Sequence, residues 1–90
     1  MKFSLGQIVA TPNAIEAMEE NSIDSRSLLL RHANGDWGCI PDEDKQENLR
    51  SVDNGNRILS SYKLNAHGDR VWIITEADRS STCLLLPEDY

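Results

Sequence analysis

Up to Asn54 the apolar residues recur at three- and four-residue intervals, and from Arg57 onward they alternate with polar ones. The first spacing belongs to helices with one buried face and the second to strands. Gln7-Ile8-Val9-Ala10 reads as a short strand or extended lead-in. Thr11-Pro12 then starts a helix, with Thr11 as N-cap and Pro12 in the first helical position. Ile15 and Met18 mark its inward face, and it ends near Asn21-Ser22. Asp24 caps a second helix, where Ile23 and Leu28 have the spacing of a hydrophobic staple. Leu28, Leu29, Leu30 and Ala33 give that helix a broad apolar face. Arg31 and His32 stand in its last turn, where positive charge suits the dipole, and Asn34-Gly35 ends it.

Residues 36–40 form an irregular connection in which the Trp37 ring plugs a gap between helices and sheet. Pro41 opens a third helix that runs to about Val52, with Leu49 and Val52 facing inward and Asp42, Glu43 and Asp44 at its start. Residues 58–64 and 71–75 then read as strands joined by a hairpin turn at 65–69. Residues 82–86 form a last strand that Pro87 stops. Leu59, Trp72, Ile74, Cys83 and Leu85 share one sheet face, and Ile58, Ile73, Leu84 and Leu86 share the other. The expected fold is α+β in a single domain, 1–90. A short N-terminal strand and about three short helices pack on a C-terminal antiparallel meander of three or four strands.

Composition narrows the setting. Ninety residues allow one core but leave little room for a deep substrate cavity. The net charge of −6 disfavours phosphate backbones and anionic membranes, although Arg57, Lys63, Arg70 and Arg79 cluster in the C-terminal half. The N-terminus has no apolar signal region, and no apolar run reaches the length of a membrane span. Cys39 and Cys83 lack the spacing of a redox or zinc pair, so the expected compartment is the cytoplasm with both thiols reduced.

Four stretches carry a family resemblance: Leu5 to Pro12, Gly35-Asp36-Trp37-Gly38, Thr75 to Ser80, and the ending Leu85 to Tyr90. Together they resemble a family of small uncharacterised bacterial proteins often called plasmid-related. Some of its members bear the label of a type I restriction endonuclease subunit M. The resemblance spans nearly the whole chain and implies an accessory or mobile-element setting; it implies no particular activity or site. Methyl transfer itself is excluded by the residues. The chain lacks a glycine-rich strand-to-helix turn for the methyl donor and an Asn/Asp-Pro-Pro-aromatic motif, and it is too short for the fold.

Five constellations carry candidate chemistry. Arg57, Tyr62, His67, Glu76 and Arg79 supply the residue types of a small metal-independent nuclease or toxin-like RNase, with base and phosphate-binding arginines. A six-residue strand of about 20 Å separates His67 from Glu76, and turn stabilisation is the plainer reading of Glu76 and Arg79. His32, Cys39, His67 and Cys83 are zinc-type ligands without paired spacing, so no metal or cofactor is expected. Ser60, Ser61, Ser80 and Ser81 lack a nucleophile elbow. The acidic stretch Asp42 to Glu47 fits either a DNA mimic of anti-restriction type or a solvated helix start. Trp37, Trp72 and Tyr90 are aromatics of the sort enriched at interfaces, beside a sheet face that the helices leave uncovered. The last reading ranks first: a non-catalytic protein-interaction module, working as a homodimer or with a protein partner.

Overall fold

A computed structural model describes residues 1–90. The elements in chain order are β1 (Gln7–Ala10), α1 (Pro12–Glu20), α2 (Ser25–Ala33), α3 (Asp42–Asn54), β2 (Ile58–Lys63), β3 (Arg70–Thr75) and β4 (Ser81–Leu85), then a 3₁₀ turn at Pro87–Asp89. The fold is α+β. The four strands form one sheet in the order β1-β4-β3-β2. β2, β3 and β4 make the antiparallel meander that alternation implies, with Ile58 opposite Thr75 and Ile73 opposite Leu84. β1 adds to β4 in parallel, Val9 opposite Cys83. Its direction follows from the chain path, because β1 leads straight into α1, which packs back over β4.

The helix termini are built as their residues dictate. The Thr11 hydroxyl accepts from the Ala14 amide and donates to Asp89, which ties the start of α1 to the C-terminal turn. Asp24 caps α2 by accepting from the Arg26 amide. Gly55, in the left-handed conformation, ends α3 and donates its amide to the Ser51 carbonyl.

The inward faces of the helices differ from the pattern reading in three places. Ala14 and Met18, four apart, are the buried pair of α1, and Ile15 is 45% exposed. On α2 only Leu28 and Ala33 of the apolar set are buried, while Leu30 is 60% exposed. On α3 the buried residues are Asn48 and Ser51, and Leu49 lies outside. The main core joins Ala14, Met18 and Leu28 to Tyr62, Val71, Ile73 and Leu84 on one sheet face. A second cluster gathers Phe3, Trp37, Ile40 and Ile58, with Val52 of α3 packed against it.

The polar inward face of α3 has a specific cause. β2 is an edge strand, and each outward N–H and C=O left without a partner costs free energy. The Asn48 side chain meets both groups of Leu59: its Nδ2 donates to the carbonyl at 2.7 Å, and its Oδ1 accepts from the amide at 3.2 Å. Two residues on, the Ser61 amide donates to the Trp37 carbonyl and the Cys39 amide donates to the Ser61 carbonyl. Gly38 sits between these contacts at φ +77°, and a Cβ there would lie 2.1 Å from the Ser61 carbonyl oxygen. Only glycine fits that approach.

Removing the Asn48 amide leaves both Leu59 groups without protein partners. Asn48→Ala is expected to lower unfolding free energy by roughly 1–3 kcal/mol, read from urea denaturation. An unchanged midpoint and slope would show that the edge seal contributes nothing.

Candidate functional site

Two places concentrate polar or exposed aromatic chemistry: a buried hydroxyl–imidazole chain beneath α2 and a groove on the opposite sheet face.

His32 is fully buried and lies between Ser60 of β2 and Thr75 of β3. Its Nδ1 meets the Ser60 hydroxyl, and its Nε2 stands 2.9 Å from Thr75 Oγ1. Thr75 Oγ1 lies 2.8 Å from Thr82 Oγ1, and the Thr82 hydroxyl donates to the Leu5 carbonyl at 2.7 Å. With the imidazole held neutral by burial, these contacts fix the direction of each hydrogen bond in the chain. Thr82 spends its hydrogen on Leu5, so Thr75 donates to Thr82 and must accept from His32 Nε2–H. Nδ1 therefore carries no proton and accepts from Ser60. Phe3 meets the imidazole edge-on at 5.3 Å between centroids, and Trp37 does so at 5.8 Å.

A serine hydroxyl donating to a histidine nitrogen is the first contact of a nucleophilic triad. Ser60, His32 and Thr75 all have zero exposure, so no substrate atom reaches the hydroxyl, and the chain acts as a buried crosslink. The charged helix-end role expected of His32 is corrected by the same burial. Desolvation pulls its pKa from 6.5 to about 4, and the ring is neutral at pH 7.

On the other sheet face, Leu59, Trp72 and Ile74 floor a groove of about 310 Å³, with Arg57 and Tyr90 at its rim. Tyr90 is 72% exposed, and its ring meets Trp72 edge-on at 5.9 Å. Arg57 donates to the Tyr90 hydroxyl at 3.2 Å and pairs with Glu76 at 3.3 Å. Trp72 is half-buried. Trp37 is not part of this surface. It is 3% exposed and stacks on Phe3, because its carbonyl must reach β2 and its ring follows into the second core cluster.

The nuclease candidates separate. Arg57 and Glu76 form an ion pair. Arg79 turns inward at φ +61° and donates to the carbonyls of Ser51, Asn56, Glu76 and Ala77, pinning the end of α3 to the β3–β4 turn. Its guanidinium also lies over the Phe3 ring. His67 is exposed in the β2–β3 turn, at the far end of β3 from Glu76, about 20 Å by strand rise. Tyr62 is buried, donates to the Asp36 carbonyl at 2.6 Å, and has its phenol pushed up to about 12 by desolvation.

Cys39 is exposed, Cys83 is partly buried, and His32 is committed to its hydroxyl partners. No three side chains of metal-ligand type gather anywhere in the structure. Ser61 is buried at the sealed edge, and Ser80 and Ser81 lie at the β3–β4 turn and the start of β4. The acidic stretch from Asp42 to Glu47 is the solvated start of α3, where Glu47 pairs with Arg50. No helix is long and apolar enough to cross a membrane. The fold and its surfaces define a small α+β domain with a four-stranded mixed sheet. No family model, curated protein or solved structure matches the chain.

The buried imidazole makes stability depend on pH. His32 titrates near 6.5 when unfolded and near 4 when folded, so between those values the unfolded chain binds more protons. Its contribution is complete above pH 6.5 and is lost as pH falls toward 4, a loss of about 3 kcal/mol. Asp36 is held down by the Arg31 guanidinium and Asp89 by hydrogen bonds from Thr11 and Asn13. These carboxylates have an unfolded value of 3.8 and act from about pH 5 downward, so the window from about pH 5 to 7 isolates the imidazole. Urea unfolding across that window is expected to show the slope in the native protein and not in His32→Gln. Parallel profiles for the two proteins would assign the slope elsewhere.

Proposed function

We infer that the protein is a non-catalytic interaction module whose contact surface is the groove around Trp72. The observation that carries this reading is an apolar floor left open on the sheet face away from α1 and α2, with an aromatic and a guanidinium at its rim. Trp, Tyr and Arg are the side chains that most often dominate binding energy at protein interfaces. Leu59, Trp72 and Ile74 supply the desolvated centre. Arg57 and Tyr90 supply donors to a partner's carbonyl or carboxylate oxygens, and their mutual hydrogen bond orients both before contact. The preferred occupant is an aliphatic or aromatic side chain of a protein partner, flanked by acceptor groups. The spread of the catalytic-type residues supports a binding role over chemistry. Arg79 is turned onto four backbone carbonyls, and His67 stands a strand length from Glu76.

Photo-crosslinking tests the surface directly. Benzoylphenylalanine in place of Tyr90, used in host lysate, is expected to yield one discrete protein adduct. The same probe at Gln46 on α3 should yield none, and Trp72→Ser should abolish the Tyr90 adduct while far-UV dichroism stays native. No adduct at Tyr90, or equal labelling from both positions, refutes the reading.

A further inference from the structure

The sheet has two edges, and the chain treats them in opposite ways. The outer edge of β2 is closed by the Asn48 amide at Leu59 and by the backbone of residues 37–39 at Ser61. The outer edge of β1 has no neighbouring strand. The Gln7 amide donates to Ser80 and the Thr11 amide to Leu84, so the backbone groups of residues 7, 9 and 11 point at β4. By alternation, the N–H and C=O of Ile8 and Ala10 point outward. Edge strands are ordinarily blunted by shortness, charge, proline or a bulge. β1 is short, at four residues, but it carries no charge, proline or bulge, and Ile8 and Val9 are 43% and 41% exposed.

Charge is absent over a wider stretch. Residues 3–15 contain no Asp, Glu, Lys or Arg, in a chain whose residues are 27% charged. A second copy carrying the same net charge of −6 meets no like charge along this strip. The geometry is also self-complementary. Antiparallel pairing about a twofold axis through Val9 sets Ile8 opposite the Ala10 of the second copy, and Ala10 opposite its Ile8. All four outward groups of each strand are then used, giving four hydrogen bonds. Val9 faces its own equivalent as a non-hydrogen-bonded pair, where side chains come closest. Each side chain keeps its sheet face, so the apolar face continues across the axis.

We propose that the chain forms a twofold homodimer by pairing β1 with β1 of a second copy, merging two four-stranded sheets into one of eight strands. This inference is independent of the groove around Trp72, which stays open in such a dimer.

A four-residue strand pair is smaller than a standard interface, so sedimentation is run at about 500 µM. The native protein is expected to sediment as a dimer. Val9→Lys, which places two ammonium groups opposite each other, should sediment as a folded monomer. Register is read in a Cys39→Ser, Cys83→Ser background. There, Val9→Cys should oxidise to a disulfide dimer with copper phenanthroline several-fold faster than Ile8→Cys, whose equivalents do not face each other. A native monomer at this concentration overturns the proposal, as does a dimer that survives Val9→Lys. Trp72→Ser distinguishes the two surfaces: it abolishes the Tyr90 crosslink and leaves the β1 dimer intact.

Discussion

The arrangement depends on how the outer edge of β2 is satisfied. A central strand finds hydrogen-bond partners on both sides, but an edge strand has a row of donors and acceptors facing outward. Here the seal comes from a side chain and from a loop. Asn48 presents an amide that reproduces the donor–acceptor pair of a neighbouring strand at Leu59. Residues 37–39 then continue that neighbour at Ser61. Three other features follow from this. α3 must turn a polar residue inward, position 38 must be glycine, and the Trp37 ring is carried into the core behind its own carbonyl.

The hydroxyl–imidazole chain solves a related problem inside the fold. His32, Ser60, Thr75 and Thr82 all lie where a small domain would ordinarily place aliphatic groups. Each of them would be costly there alone. In series they satisfy one another and end on the Leu5 carbonyl, so no buried side-chain polar atom is left without a partner. The chain crosses from α2 through three strands to the N-terminal segment. It therefore fixes the register between layers more narrowly than apolar packing alone would. Its cost is acid sensitivity, because the one titratable member must stay neutral.

Much of the fold was legible in the residues, and the reason varies by element. Thr11-Pro12 and Asp24 announce helices because capping is a local event that a few residues decide. Alternation from Ile58 onward locates the meander and sorts Trp72, Ile74 and Cys83 to one face, since strand period is independent of tertiary context. What periodicity misses is any element whose inward face is polar. Leu49 looks buried and Asn48 does not, yet the edge of β2 reverses them. His32 fails in the same way: adjacent Arg31 makes it look like a charged helix end, and its partners lie far along the chain at Ser60 and Thr75. Trp37 and Trp72 have equal claims to the surface in sequence. Only the pairing of residues 37–39 along the outer edge of β2 separates them.

The closed edge and the open edge bear on one another. A strand edge left bare by chance would be expected to resemble its counterpart, but here one side carries a fitted amide, a constrained glycine and a loop bridge. The other side carries no charge, no proline and two exposed aliphatic side chains. Selection against aggregation acts on both edges of a sheet. Hydrogen-bonded closure confined to one of them therefore points to a role for the other. Val9 lies on the same sheet face as Trp72, so a partner strand at β1 would extend the apolar surface that the groove begins. The two surfaces remain separable because Arg57 and Tyr90 stand on the β2 and β3 side of the face, two strands from β1. One sheet can thus hold a second copy at its edge while leaving the groove free for a different protein.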